Sequence, residues 1–230
     1  MYNVFQAGSL LIPYWMFYLA GSLAAGFLYL KFFSSYKESR WHHVRDKTAD
    51  TVIIFVLVFQ FGTAVLHLPM LLEDPLAVLS YPSGSAEFYT ALLFTSAYVI
   101  YLHFRNISRL KHTLTGIFLV LVVSDFVFSF LAQRSGEEIG TPLQALSHHP
   151  VGLYTMLLCT LVLVLTSQNL LSIKHAFALW AFGKWLISRA DPSNMFFHLY
   201  GMNYFLLVLL FAAIVLNAVY FGRNLLKKSR

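Results

Sequence analysis

Charged side chains are scarce in this chain. Asp, Glu, Lys and Arg make up 11% of its 230 residues and hydrophobic residues make up 58%, whereas about a quarter of the residues of a soluble globular domain are charged. A chain of this length would ordinarily form one or two soluble domains, but apolar segments occupy nearly all of it. The composition therefore predicts a polytopic membrane protein.

Cysteine and the common catalytic motifs are also scarce or absent. Cys159 is the only cysteine, so no internal disulfide can form and the redox compartment is not indicated. The sequence has no H-E-x-x-H motif for zinc and no G-x-S-x-G elbow for a serine nucleophile. We expect neither a metal ion nor a cofactor.

Long apolar runs are what the chain has in abundance. Because a helix needs about 20 apolar residues to cross a hydrocarbon core of about 30 Å, we place spans near 9–33, 51–71, 86–104, 112–133, 151–168, 173–188 and 200–221. The first run is too long, and too weakly flanked by positive charge, for a cleavable signal peptide. The expected fold is all-α, with about seven transmembrane helices in a single domain, residues 1–230.

The distribution of Lys and Arg supports this count of spans. Thirteen of the sixteen basic residues fall on one side of a seven-span arrangement, in the loops 31–50 and 105–111, at Lys174 and in the tail after residue 221. Basic residues accumulate in cytoplasmic loops. The sequence therefore predicts an outside N-terminus and a cytoplasmic C-terminus, and it gives no reason to expect a nucleic-acid partner.

Ionisable residues within or beside the spans are candidates for function. Lys184 lies inside a predicted span, where a lysine costs roughly 2.5–3.5 kcal/mol unless it reaches the surface or finds an anion. Asp125 and His67 can pair with each other or with the backbone. His148 and His149 precede Pro150 at the start of the fifth span, where they either solvate the helix entry or line a site.

Five segments, in order along the chain, resemble motifs of the prolipoprotein diacylglyceryl transferases, and the resemblance covers nearly the whole length. They are YLAG (18–21) preceded by Tyr14, DPLAVLSYPSGSAEFYTALL (74–93), FSFLAQRSGEEIG (128–140), HHPVGLYT (148–155), and WAFGK (180–184) followed by SRADP (188–192). A set of motifs in the same order and in corresponding spans is far more specific than any one of them.

The chain departs from the family's pattern at several motif positions. Tyr89 stands where the family has a histidine, and Lys184 stands where its late helix has an arginine. Ser129, Ala132 and Ser135 replace an arginine and two asparagines. These replacements leave open whether catalysis is retained.

The resemblance implies a reaction and a set of site residues. A lipoprotein thiolate would attack the glycerol carbon of phosphatidylglycerol, and glycerol phosphate would leave. The catalytic candidates are His149, Tyr89 and Glu137. The substrate-binding candidates are Tyr14, Arg134, Tyr154, Lys184 and Arg189.

The expected function is diacylglyceryl transfer at the outer face of a bacterial cytoplasmic membrane, with a phospholipid and a lipoprotein precursor peptide as partners. Two alternatives belong to other functional classes. One is a non-catalytic or repurposed relative that binds phospholipid or lipoprotein. The other is a small transporter, although the chain lacks the inverted repeats of many such proteins.

Overall fold

The computed structural model describes residues 4–7, 10–66, 84–105, 110–133, 135–137 and 148–191. Helices dominate these residues, as the sequence predicts, and a short antiparallel hairpin precedes them. The elements are β1 (Val4–Ala7), β2 (Leu10–Pro13), α1 (Tyr14–Phe32), α2 (His42–Leu66), α3 (Ser85–Phe104), α4 (Leu110–Ala132), α5 (Val151–Ser167) and α6 (Ile173–Ile187).

Four of the predicted spans match helices within about two residues at each end, and two spans need correction. The first does not begin at residue 9, because Leu10–Pro13 pairs with Val4–Ala7 and α1 starts only at Tyr14. The second helix starts nine residues before the predicted span, because helical hydrogen bonding continues through the polar segment from His42 to Asp50. The predicted span 200–221 lies outside the described residues.

Two of the described helices, Tyr14–Phe32 and Lys111–Ala132, are long and apolar enough to cross a membrane. The apolar helix Val151–Ser167 is shorter. These lengths and compositions agree with the expectation of a membrane protein, and they leave the number and direction of the spans as predictions.

The described chain forms two compact units, divided within α4 between Leu121 and Val122. In the first unit α2 packs along α3, with Phe55 set edge-on against the buried Phe88 at a centroid distance of 5.7 Å. Gly62 lets α2 approach α3 closely, since a Cβ atom there would lie 3.3 Å from the side chain of Glu87. The connection before α2 is held by Arg45, whose Nη1 donates to the carbonyl oxygens of residues 36–38.

Among the described residues, the second unit contains the end of α4, together with α5 and α6. A tight turn joins α5 to α6: Asn169 adopts a φ of 55°, its N–H donates to the carbonyl of Thr166, and the N–H of Leu170 donates to the carbonyl of Leu165. This pair of hydrogen bonds is the Schellman arrangement, in which asparagine tolerates the left-handed conformation. The turn sends α6 back along α5, and Gly183 packs directly against Leu158.

Candidate functional site

A buried polar cluster lies in the second unit, around the single carboxylate of α4. The side chain of Asp125 is 3% exposed, and the Nζ of Lys184 lies 3.1 Å from each of its two carboxylate oxygens. The indole N–H of Trp180 donates to Oδ2 over 3.3 Å, and the thiol of Cys159 lies 3.7 Å from the same oxygen. The carboxylate thus accepts hydrogen bonds from side chains on α5 and on α6.

The local sequence explains how the cluster forms. Trp180 and Lys184 are four residues apart on α6, so both side chains lie on one face of the helix. Cys159 follows Leu158, which packs against Gly183. Cys159 and Trp180 are fully buried. Their side chains cover the ion pair on the sides where α5 and α6 lie.

The ion pair with Asp125 explains how Lys184 is accommodated in an apolar segment, a question that the sequence left open. A lysine inside an apolar segment needs an anion or a route to the surface, and here the anion is Asp125. The sequence suggests His67 or the backbone as the partner of Asp125, and His67 lies outside the described residues. The signal that could have identified the pair is charge complementarity between α4 and α6, since each carries one ionisable residue deep in an apolar sequence.

A second polar arrangement lies at the chain segments that follow α4, precede α5 and follow α6. The N–H of Gly136 donates to the carbonyl of His149 over 2.7 Å, and the N–H of His149 donates back to the carbonyl of Glu137 over 3.0 Å. The N–H of Glu137 donates to the carbonyl of Ala190 over 3.0 Å. We call this arrangement the loop junction; it ties the two ends of the connection between α4 and α5 to the segment that follows α6.

The loop junction positions one of the predicted catalytic residues. His149 is partly buried, and its Nδ1 lies 3.4 Å from the hydroxyl oxygen of Tyr154, one turn into α5. His148 is exposed. Pro150 is the N-cap of α5, and its carbonyl accepts a hydrogen bond from the N–H of Tyr154 over 3.1 Å.

The other predicted site residues are distributed between the two units. Arg189 is exposed and its guanidinium lies 5.2 Å from the ring centroid of Trp185, while the Glu137 side chain is exposed at the loop junction. Tyr14 and Tyr89 belong to the first unit and are 40% and 37% exposed. Arg134 lies outside the described residues.

The described residues contain no group of three or more His, Cys, Asp or Glu side chains that could hold a metal ion. No family model, no curated protein and no solved structure matches this chain. The site is therefore interpreted from its own residues.

Proposed function

We propose that the protein is an enzyme of the diacylglyceryl transferase type, which moves a diacylglyceryl group from phosphatidylglycerol to the cysteine thiol of a lipoprotein precursor. The supporting observation is the loop junction. It joins SGEEIG (135–140), HHPVGLYT (148–155) and SRADP (188–192) through Gly136, Glu137, His149 and Ala190. These are three of the segments on which the family resemblance rests, and a shared site requires them to be adjacent.

We propose that the chain crosses a bacterial cytoplasmic membrane about seven times, with the loop junction at the outer face. Support comes from the two helices that are long and apolar enough to span. It comes also from the thirteen basic residues that this arrangement gathers on the cytoplasmic side. An outer location would let a phospholipid enter from the bilayer and a peptide approach from outside.

In the proposed reaction a carbon–sulfur bond forms between the peptide thiol and the glycerol carbon. The carbon–oxygen bond to phosphate breaks, and glycerol phosphate leaves with the electron pair. The thiol proton must pass to a base, because the thiolate is the nucleophile. A histidine side chain, whose pKa is ordinarily about 6.5, can accept a proton at neutral pH, whereas a tyrosine, ordinarily near 10, is a poor acceptor there.

In this proposal each ring nitrogen of His149 has its own role. If Nδ1–H donates to the hydroxyl of Tyr154, 3.4 Å away, then Nε2 carries the lone pair and can take the thiol proton. The opposite tautomer would place a proton on Nε2 and remove the acceptor. In this proposal Tyr154 accepts the hydrogen of Nδ1 and thereby holds the imidazole ring in place.

The departing phosphate needs cationic or hydrogen-bonding partners. Arg189 is the exposed candidate, and its planar guanidinium can hold two phosphate oxygens. Glu137 is tied through its backbone to Ala190, the residue after Arg189. This tie places a carboxylate on the segment adjacent to Arg189, where it can orient the guanidinium.

A second candidate function is a non-catalytic relative that binds phospholipid. One observation favours it: the ammonium of Lys184, which stands at the family's arginine position, is already paired with Asp125. A cation occupied in this way stabilises less of the charge that develops on a leaving phosphate. Such a relative would bind anionic phospholipid and release no glycerol phosphate.

One assay separates the two functions. The purified protein is placed in phosphatidylglycerol vesicles with a cysteine peptide, and release of glycerol phosphate is measured with and without the thiol. For the enzyme we expect thiol-dependent release that falls about 10²- to 10⁴-fold in His149→Ala. His148→Ala is the matched control and should retain the rate. No thiol-dependent release from the unmodified protein would rule out the transferase.

A further inference from the structure

We propose that Asp125 is an internal placeholder for a phosphate, which holds the ammonium of Lys184 until the phosphate of an anionic lipid headgroup replaces it. This inference rests on the proposed function in one respect, namely that Lys184 belongs to the phosphate-binding cations. It adds that Asp125, a residue outside the motifs, controls when the ammonium of Lys184 can bind a phosphate.

The two partners differ in how deeply they are enclosed. The side chain of Asp125 is 3% exposed and that of Lys184 is 11% exposed. The lysine side chain is therefore the less enclosed partner, and the aspartate side chain is the more enclosed one. The proposed exchange requires a second anion to reach the ammonium from this less enclosed side.

The carboxylate also has hydrogen-bond donors that do not depend on Lys184. Trp180 and Cys159 both direct their hydrogens to Oδ2. If the ammonium moves away, Asp125 keeps these two donors and is not left bare in an apolar surrounding, which would be costly. An ion pair with no such additional donors would be far more difficult to open.

The proposed exchange requires the ammonium of Lys184 to move from the pair towards the loop junction. It lies in the last turn of α6, and its carbonyl accepts a hydrogen bond from the N–H of Ser188 just beyond the helix end. A lysine has a flexible four-carbon stem with a compact charge at its tip, and it can extend towards a polar boundary. Moving by about one helical turn of 5.4 Å would bring the ammonium level with the segment that contains Arg189 and Ala190.

The ammonium of Lys184 makes one ion pair before the exchange and one after it. A carboxylate–ammonium contact is replaced by a phosphate–ammonium contact, and both are charge-assisted hydrogen bonds. Without lipid, Asp125 supplies the compensating charge that keeps a lysine stable among apolar helices. With lipid, the headgroup supplies it.

Binding of phosphatidylglycerol to the full chain in detergent micelles tests this exchange, with no thiol present. Asp125→Asn removes the competing charge while preserving the shape of the side chain, so we expect affinity to rise about fivefold or more, in the range of ordinary coupling between sites. Asp125→Asn combined with Lys184→Met should lose that gain. Trp180→Phe is the matched control: it removes a donor to the same carboxylate but leaves both charges in place, so it should not raise the affinity.

Asp125→Asn binding phosphatidylglycerol no more tightly than the unmodified protein would overturn the placeholder role and leave a purely structural ion pair. Inorganic phosphate is titrated in parallel to identify the source of the ligand. A gain for phosphatidylglycerol alone assigns the site to a lipid headgroup, as proposed. A gain for inorganic phosphate alone contradicts a lipid ligand.

A second measurement applies if Asp125→Asn fails to fold. Because Trp180 shares Oδ2 with the ion pair, departure of the ammonium should change the emission of Trp180 in the unmodified protein. We expect a phosphatidylglycerol-dependent change that is absent in Trp180→Phe and in Lys184→Met. If phosphatidylglycerol produces no such change, the exchange does not occur.

These binding measurements are independent of catalysis. If Asp125→Asn raises the affinity for phosphatidylglycerol but the protein never releases glycerol phosphate, the transferase proposal fails and the placeholder proposal stands. If the protein releases glycerol phosphate but Asp125→Asn leaves that affinity unchanged, the placeholder proposal fails and the transferase proposal stands.

Discussion

Gly136 lies so close to the carbonyl oxygen of Ala190 that no side chain fits between them. A Cβ atom at Gly136 would overlap that oxygen, and it would also lie 2.7 Å from a methyl group of Val151. The obstacle is backbone on one side and the first turn of α5 on the other, so neither can easily move. The absence of a side chain at residue 136 is therefore what permits the loop junction to close.

Gly136→Ala should open the loop junction. The hydrogen bonds between Gly136 and His149 and between Glu137 and Ala190 would be strained or lost, and His149 would leave its position beside Tyr154. We expect lower thermal stability in detergent and loss of any thiol-dependent glycerol phosphate release.

Gly21→Ala is the matched control for this change. A Cβ atom at Gly21 in α1 would meet nothing within 4 Å, and alanine is favoured over glycine in a helix by roughly 0.5–1 kcal/mol. The control should have equal or higher stability. Equal behaviour of the two alanine variants would show that the loop junction is not closed as described.

Gly183→Ala should disturb the packing of α5 on α6. A Cβ atom there would lie 2.5 and 2.6 Å from the two terminal carbons of Leu158, and overpacking of a helix contact typically costs about 1–3 kcal/mol. Leu158→Ala in the same chain removes the obstacle. In a double-mutant cycle of thermal unfolding, the two changes together should cost less than the sum of the single costs, whereas simple additivity would argue against this contact.

Removing one partner of the Asp125–Lys184 pair should be more harmful than removing both charges. Loss of one member of a buried ion pair costs about 3–5 kcal/mol, because the other charge stays buried without its counter-ion. Lys184→Met and Asp125→Asn should each lower the unfolding temperature in lipid-free detergent, and the double variant should recover part of it. A double variant as unstable as the sum of the singles would mean that the two side chains act independently.

Stability should depend on pH through Asp50 at the start of α2. The Lys47 ammonium, 2.8 Å away, donates a hydrogen bond to Asp50 and lowers the pKa of this carboxyl below its ordinary value. A lowered folded-state pKa stabilises the fold above the unfolded-state pKa of about 3.9, and the contribution disappears as pH falls through the folded-state value. The pair is partly exposed, so we expect an effect of at most about 1 kcal/mol.

Lys47→Met should flatten the dependence of the unfolding free energy on pH between about pH 5 and pH 2. Lys37→Met makes the same change of charge at an exposed position of the preceding segment, and it should leave the profile unchanged. Identical profiles for Lys47→Met and the unmodified protein would contradict the assignment to Asp50.

The proposed topology can be tested by labelling introduced cysteines. An impermeant thiol reagent applied to intact cells should label Ser83→Cys and should not label Ser108→Cys, because the basic residues place the second position on the cytoplasmic side. Cys159 is buried and should contribute little background. The reverse labelling pattern would invert the proposed orientation.

The sequence predicts the helices far better than it predicts their contacts. The length of each apolar run predicts where α3 to α6 begin and end, because a helix whose surface faces a protein core or a lipid bilayer needs an uninterrupted apolar run. Apolar length fails to predict the start of α2, since the residues from His42 to Asp50 are mostly polar and still form a helix in the structure. It also gives no sign of the hairpin before α1, where the strand register depends on backbone pairing between two short segments.

For the candidate site too, the sequence predicts the residues better than it predicts their contacts. The motifs identify His149, Glu137 and Lys184, and spacing along α6 places Trp180 beside Lys184. The partnership of Lys184 with Asp125 depends on how α4 rotates against α6, and one sequence gives no information about that rotation. The closeness of residue 136 to residue 190 is likewise a property of loop conformation, which no periodicity encodes.

The separation of Asp125 and Lys184 along the chain, 59 positions, has a consequence for biosynthesis. Chains are made from the N-terminus, so α4 emerges with its carboxylate well before the ribosome has reached the lysine. Asp125 without its counter-ion would enter a membrane at high cost during that interval, and we expect α4 to remain at the translocation site until α6 is complete. Because the turn at Asn169 folds α6 back along α5, those two helices can arrive together as a hairpin that delivers the missing positive charge.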